Sequence, residues 1–451
     1  METRFFQRDV ETATRDRVAQ VQAAKLGTTL EYVSERSGFY RAKFKNLSLE
    51  KVRAVGDLAG LPFTERSEIL SDQAEHGQLG RLMCTEFTDP GQVIGQTGDR
   101  FSTTGDPIRV IATAADLAFQ GKLAARGLVS AGVGRDDYFY IADFPQFNLL
   151  YMHTGLGSIN VGSKSLLIGM ERAERNILVY MPLYPPSAFF ISPSYSKVMV
   201  DLLKKAGKKF PIRTVVGWSE PGYSLASVRA ELRRLWGEVS TQGEPRVCDA
   251  YGMIEVGYLG CECRDQAGIH GFEDGYVYEV VDPNTGAPLR VGEEGELVVT
   301  HLEREGMPLI RYRTGDITTL DDSPCSCGRT SLRLRGIRGR WQERLEIAAR
   351  IVYGGDVAEA LSAGGYRGPL NVLAGGTAAS EALEVVIEDV GPDELERLRL
   401  WLIQRLNVPV KLTAAEGEGL VTYLHRSRAV IDRTRLDALR REAAAQSMVE
   451  S

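Results

Sequence analysis

Histidine is scarce: the 451-residue chain has five. A site built mainly of imidazoles therefore has little to draw on. No apolar run is long enough to cross a bilayer, which argues against a spanning helix. Positive charge is not in excess. Lys and Arg total 54 against 60 Asp and Glu, a net charge of −6, which disfavours a nucleic-acid-coating role. Glycine is frequent (47) and proline ordinary (18), but no collagen-like period exists. Internal repeats and long low-complexity runs are missing as well. The opening METRFFQRDVETATRDR is too charged for a secretory apolar region. The expected setting is cytoplasmic, with neither a membrane nor a nucleic acid as partner.

The length corresponds to two or three domains at about 150 residues each. Apolar spacing predicts a helix over 10–26 and another over 50–60. From about 138 to 300, short apolar runs alternate with helical segments. YFYIAD, SLLIGM, ILVYM, RTVVGW and GELVVT read as strands; KVMVDLLKKAG and LASVRAELRRLW read as helices. Such alternation predicts an α/β fold. A charged, glycine-containing stretch at 333–344, RLRGIRGRWQER, is a candidate hinge. Beyond it LEVVIEDV, PDELERLRLWLIQRL and PVKLTAA predict a β-α-β order, and so a small α+β domain of about 110 residues.

Four motifs carry chemistry. Thr103-Thr104-Gly105-Asp106-Pro107 can offer hydroxyls and backbone N–H groups to phosphate oxygens. Asp249-Ala250-Tyr251-Gly252-Met253-Ile254-Glu255 places an aromatic ring, a glycine and then a carboxylate where a flat group and Mg²⁺ can be held. Arg311-Tyr312-Arg313-Thr314-Gly315-Asp316 ends on a carboxylate after a glycine turn, which can accept two ribose hydroxyls. Gly339-Arg340 puts a guanidinium in the hinge, where it can bridge ribose and phosphate. Each string alone also fits an ordinary turn or a buried tyrosine.

In this order the motifs resemble those of the AMP-forming, adenylate-forming enzymes, most closely the phenylacetate–CoA ligase branch. SGFYRAKF with DLAGLPFTERSEI, STTGDP, SEPGYS, DAYGMIEVG, the long VVDPNTGAPLRVGEEGELVVTHLEREGMPLIRYRTGDIT, CSCGRT and GRWQER carry the resemblance across nearly the whole chain. It implies a large multi-sheet N-terminal domain over 1–338 and a small mobile α+β domain over 339–451, joined by a hinge. It implies activation of a carboxylate with ATP as acyl-AMP, followed by transfer to CoA or, as in amide-forming relatives, to an amine. A homodimer is one assembly it leaves open. By the same resemblance Thr103, Thr104 and Gly105 cradle the ATP phosphates, with Thr104 counted among the catalytic groups. Ser219, Glu220 and Pro221 lie on the adenine side. Tyr251 and Gly252 flank adenylate and acid, Glu255 helps hold Mg²⁺, Asp316 binds the ribose, and Arg340 sits at the ribose–phosphate edge.

The sequence departs from the family pattern in three places. The phosphate loop begins Arg100-Phe101-Ser102, where the family has Ser-Ser-Gly, and Asp106 stands where Lys is common. Trp218 precedes Ser219-Glu220-Pro221, where Gly is usual. An ungapped match of Val430-Ile431-Asp432 puts Arg426 at the family's adenylating lysine; Arg keeps the charge but not the compact ammonium. A remodelled homologue, binding an acyl or adenylate-like ligand or a partner without turning over ATP, is the alternative.

Two clusters of soft ligands remain. Cys261 and Cys263 are followed by His270, and Cys325-Ser326-Cys327 lies some sixty residues on. A large cytosolic chain disfavours disulfides. Cys263, His270, Cys325 and Cys327 form the expected set for a structural, four-coordinate Zn²⁺, a pattern similar to that of some members of the branch; Cys261 in place of His270 is the variant. For the acid, FPQFNLLYMHTGLG resembles the branch's substrate segment, which assigns Phe144, Phe147, Tyr151 and Gly155, with Tyr251, to a flat, largely apolar pocket suited to an aromatic acid.

Overall fold

A computed structural model describes residues 4–77, 79–86, 91–96, 107–142, 149–168, 173–218, 220, 222–368, 370–374, 381–388, 390–415 and 430–432. Among them, no helix is long and apolar enough to cross a membrane.

The architecture is α/β. Five neighbouring strands of a twelve-stranded sheet run parallel, in the order Lys164–Ile168, Tyr138–Ala142, Ala188–Ile191, Thr214–Gly217 and Arg246–Met253. Ala188–Ile191 and Thr214–Gly217 are buried along their whole length. Such strands read as continuous apolar runs because helices cover both faces. One hydrophobic core lies under helices Ala114–Ala131 and Leu149–Val161, and a second lies under Pro193–Lys205 and Ala226–Val239. The chain leaves Tyr138–Ala142 toward one neighbour and later returns on its other side. That creates a topological switch point, where open α/β sheets bind ligands beyond the carboxyl ends of their strands. Past Arg246–Met253 the sheet turns antiparallel through Gly257–Glu262 and Ile269–Gly271, and continues to Tyr312–Asp321, Glu294–His301 and Tyr276–Val281.

Local chemistry sets the helix ends. Thr113 caps Ala114–Ala131 by accepting from the Asp116 N–H, the Asp116 carboxylate returns the bond to Thr113, and Gly132 closes the helix in the left-handed region. Ser192 caps Pro193–Lys205, whose proline occupies the first turn, where its missing donor costs nothing. A four-stranded sheet, Val410–Ala415, Leu383–Glu388, Leu370–Ala374 and Val430–Asp432, closes on helices Gly354–Ala363 and Pro392–Leu406 around a third core. The expected β-α-β order is present there.

Three local readings need correction. ILVYM is not a strand: Ala173–Val179 is a helix running into turns, with Ile177 and Met181 buried. The strand at this level is Ala188–Ile191, and a short apolar run does not tell helix from strand by period alone. The expected helix over 10–26 is two helices, Arg8–Glu11 and Arg15–Arg36, separated at the Thr14 cap. The helix expected over 50–60 is a pair of 3₁₀ turns, Leu49–Lys51 and Val55–Gly60.

Candidate functional site

Strand register brings the third and fourth motifs together. Gly339–Arg340 pairs antiparallel with Tyr312–Asp321 so that Arg340 stands opposite Asp316. The Arg340 Nε lies 3.3 Å from Asp316 Oδ1. Burial alone would lower the Arg340 pKa, but the carboxylates of Asp316, Glu343 and Glu255 hold it above its usual value. The guanidinium therefore carries a fixed positive charge in a half-buried position.

Tyr251 completes this arrangement from the end of Arg246–Met253. Its phenol donates to Asp316 Oδ2 at 2.6 Å. Burial first, then the Asp316 charge, pushes the phenol pKa well up, so the hydroxyl keeps its proton. Gly252 follows at an irregularity in the strand pairing with Gly257–Glu262. A Cβ there would come within 2.6 Å of the Gly257 carbonyl oxygen, so this hairpin admits only glycine at that position. The hairpin in turn presents Glu255, 5% exposed, which accepts from the Tyr312 hydroxyl at 3.0 Å. Gly315, at φ +76°, gives the turn before Asp316 a conformation that side chains disfavour.

The sequence reading passed over the groups that hold this hairpin. Arg304 donates to the Glu255 and Val256 carbonyls at 2.7 and 3.0 Å, and His301 Nε2 lies 2.7 Å from the Val256 carbonyl. Tyr276 donates to that same oxygen at 3.2 Å. Arg304 and Tyr312 belong to the long motif-bearing stretch, but their roles depend on pairings across the sheet that spacing does not reveal. Behind the hairpin, burial and then the Glu262 charge push the Asp249 carboxyl up to about 7.

Of the remaining assignments, Glu220 is 7% exposed and accepts from the Ser194 N–H at 2.6 Å, at the N-terminus of Pro193–Lys205. Trp218 is buried against Phe190, with ring centroids 5.5 Å apart. Tyr151 and Gly155 lie buried on Leu149–Val161, the helix beyond the switch-point strand. His153, on the same helix, is 3% exposed, and burial depresses its pKa to about 3. Thr103, Thr104, Gly105, Phe144, Phe147, Ser219, Pro221 and Arg426 lie outside the described residues, as do Arg100, Phe101, Ser102 and Asp106.

A second, separate centre is buried where the sheet turns antiparallel. Cys263, His270, Cys325 and Cys327 present ligand atoms that all lie within 4.8 Å of one another. The Cys263 and Cys325 sulfurs are 3.8 Å apart, and Cys327 Sγ is 3.5 Å from His270 Nε2. A tetrahedron with metal–sulfur bonds of about 2.3 Å has sulfur–sulfur edges of about 3.8 Å and sulfur–nitrogen edges of about 3.6 Å. Those two edges match a tetrahedral site, and all four donors lie within 4.8 Å of one another. Ser331 Oγ engages His270 Nδ1 at 3.0 Å, fixing the ring as outer partners of metal-bound imidazoles do. Cys261 lies outside this cluster, buried beside Tyr258 and Ser130.

No family model matches the chain. Curated relatives do. The phenylacetate-coenzyme A ligase of Thermus thermophilus is 30% identical over 359 residues, covering 77% of this chain and 76% of that protein. The phenylacetate-coenzyme A ligase of Escherichia coli is 26% identical over 359 residues, with coverages of 78% and 77%. Among solved structures, 2-hydroxyisobutyryl-CoA ligase in its postadenylation state superposes with a TM-score of 0.86 at 21% identity, covering 98% of this chain and 96% of that one; this likeness is one of fold. The motif order, the meeting of Tyr251, Asp316, Arg340 and Glu255, and the Thermus relative together place the chain in the phenylacetate–coenzyme A ligase family of adenylate-forming enzymes.

Proposed function

We propose that this chain activates an aryl or arylacetic acid with ATP and passes the acyl group to CoA or an amine. A carboxylate oxygen of the acid attacks the α-phosphorus, the bond to the bridging oxygen breaks, and pyrophosphate leaves. The acceptor thiol or amine then attacks the acyl carbon, loses its proton and releases AMP. In this reading Asp316 accepts the ribose hydroxyls, and Arg340 balances charge at the ribose–phosphate edge. Tyr251 and Gly252 line the acyl-adenylate. Glu255 holds Mg²⁺ together with the substrate phosphates, the usual way a protein shares that ion. Thr103, Thr104 and Gly105 cradle the phosphates, Arg426 reaches the acyl phosphate, and Phe144, Phe147, Tyr151 and Gly155 shape the acid pocket. The gain comes from positioning and charge stabilisation.

The observation that carries this reading is the pairing of Asp316 with Tyr251 and Arg340 beside Glu255, at the carboxyl end of the sheet. We assign 1–338 to the nucleotide- and acid-binding body and 339–451 to the mobile domain, in a cytoplasmic homodimer. Zn²⁺ in the Cys263, His270, Cys325 and Cys327 site supplies a structural crosslink, since four protein ligands leave no open position for chemistry.

Calorimetry with ATP, Mg²⁺ and a panel of aromatic acids, followed by pyrophosphate release with and without CoA, tests the proposal. Acid-dependent release identifies the acid class, and its dependence on CoA separates the two acceptors. Absence of ATP binding would instead favour the homologue that holds an acyl ligand or a partner without ATP turnover.

A further inference from the structure

Buried polar groups in a folded chain are hydrogen-bonded, so one without a partner calls for an explanation. His153 is such a group. It is 3% exposed on helix Leu149–Val161, and neither ring nitrogen has a hydrogen-bond partner. Burial, with the Arg304 charge adding to it, holds the ring neutral, so one nitrogen can donate and the other can accept. A ring needed only for packing would be better apolar, because burying unused polar atoms is unfavourable. Arg304 is a second such group. It is 9% exposed, and among the described residues no carboxylate pairs with it. Its Nη1 donates to the Glu255 and Val256 carbonyls, but its Nε–H has no partner. Buried charges are ordinarily paired and fully hydrogen-bonded.

Both groups border the segment that follows Tyr251. Helix Leu149–Val161 comes after strand Tyr138–Ala142, so its first turns lie at the carboxyl end of the parallel strands. A Cβ on Gly252 would come within 3.2 Å of Leu150 Cδ2, which puts Leu150 directly over Gly252. His153 follows Leu150 by three residues, a spacing that sets side chains side by side on one helix face, about 5–6 Å apart at Cβ. Arg304 reaches the same segment through its bonds to the Glu255 and Val256 carbonyls. Two unused hydrogen-bonding groups thus flank Gly252–Val256 from two different elements.

We propose that His153 and Arg304 are a polar anchor for the acid, and that the group they take is a hydroxyl on its ring. The proposal rests on the ligase reading above and narrows its acid to a hydroxy-substituted aromatic one. A hydroxyl has one hydrogen to donate and two lone pairs to accept. It would donate to the bare nitrogen of His153 and accept from the Arg304 Nε–H, so each unused group gains the partner it lacks. A methyl ether or a carboxylate has no hydrogen to give the bare nitrogen. An unsubstituted ring leaves both groups empty, and a site that hydrogen-bonds a substrate hydroxyl rejects the analogue lacking it far more strongly than an apolar pocket rejects a missing methylene. His153 therefore sets specificity; it is not a catalytic residue.

Acid-dependent pyrophosphate release by the full chain tests the anchor, with benzoic and phenylacetic acids, their ring-hydroxy isomers and the matching methyl ethers as substrates. At least one hydroxy isomer should exceed both its parent acid and its methyl ether by about tenfold or more in kcat/KM. His153→Phe keeps a flat ring without hydrogen-bonding atoms. It should abolish that preference by raising KM for the hydroxy acid, with ATP affinity and turnover of the parent acid unchanged. The thermal midpoint of the ligand-free variant should stay level or rise, since two unpaired buried nitrogens are gone. His153→Asn, which retains a donor and an acceptor, should keep part of the preference. Release that shows no preference for a hydroxyl, or a preference that survives His153→Phe, would overturn the anchor and leave the ligase reading standing. A variant with a lowered midpoint that slows every acid alike would make His153 a packing residue and overturn the anchor as well. No release with any acid would overturn the ligase reading, and the anchor with it.

Discussion

Asp316→Asn tests the nucleotide assignment most directly. The side chain keeps its volume and one acceptor oxygen, so the Tyr251 hydroxyl, now 2.6 Å from Oδ2, can still donate. Arg340 loses its nearest carboxylate but keeps Glu343 and Glu255 in its field, so the fold should survive. What disappears is the negative charge that the proposed role offers to two ribose hydroxyls. A hydrogen bond to a charged group contributes about 1.5–3 kcal/mol and a neutral one about 0.5–1.5, so two weakened bonds cost about 2–3 kcal/mol. At about 1.4 kcal/mol per decade, ATP should bind about 30- to 150-fold more weakly. Calorimetry with ATP and with 2′,3′-dideoxy-ATP separates this from general damage. The wild type should discriminate strongly between the two nucleotides, and the variant should do so much less, closing a double-mutant cycle on the ribose contact. If Asp316→Asn weakens both nucleotides equally, or weakens neither, the ribose role is refuted.

Three further expectations concern stability and the metal. The wild type should carry about one Zn²⁺ per chain by metal analysis, lost in the Cys325→Ser, Cys327→Ser double variant and accompanied by a lower thermal midpoint. Full metal in that variant would exclude the site. The neighbouring knuckle also clamps the start of the chain: Arg329 donates its backbone N–H to Cys327 Sγ at 3.4 Å, and its guanidinium pairs with Glu11 at 2.7 Å, both side chains 5% exposed. Glu11→Ala would leave that guanidinium buried and unpaired, at a cost of about 3–5 kcal/mol in urea unfolding, whereas a surface ion pair would cost under about 1 kcal/mol. Asp249 gives a pH signature. Its folded pKa, about 7, lies above its unfolded value, so between roughly pH 4 and 7 the folded state binds more protons and stability falls as pH rises. Asp249→Asn should flatten that slope, and an unchanged slope would place the titration elsewhere.

The legible parts of this chain were those where one short string determines an outcome. Pro392–Leu406 begins and ends where its proline, its apolar spacing and Asn407 say it should, with Asn407 in the left-handed region after the last turn. Strand Leu383–Glu388 and strand Val410–Ala415 flank it as expected. Cys263, His270, Cys325 and Cys327 were selectable because soft ligands are few and clustered, and the cluster contains those four. Reading failed where the evidence was not local. Ile177 and Met181 look like strand residues but are the buried side of a helix and turn whose other side, Leu178 and Leu183, is exposed. A run apolar on every side carries no period, so only the partner surfaces decide its state.

The same distinction explains which half of the proposed nucleotide site the sequence exposed. Asp316 and Arg340 could be named from their motifs, but their contact depends on Gly339–Arg340 returning to pair with a strand that began at Tyr312. Tyr251 reaches Asp316 across a different stretch of the sheet, and Tyr312, from Asp316's own strand, reaches Glu255 on the hairpin. These two crossing bonds tie the second motif to the third. Arg304, which holds the Glu255 and Val256 carbonyls, and His301, which meets the Val256 carbonyl, are a buried cation and imidazole inside the long third-motif stretch, yet their contact with the hairpin is made across the sheet. Burial depresses the His301 pKa to about 3, with the Arg304 charge adding to the effect, so this support stays in one protonation state across any physiological range. A perturbation at Arg304 should therefore reach Glu255 and Tyr251 together, whereas one at Asp316 should reach the nucleotide and leave the hairpin's backbone bonds in place.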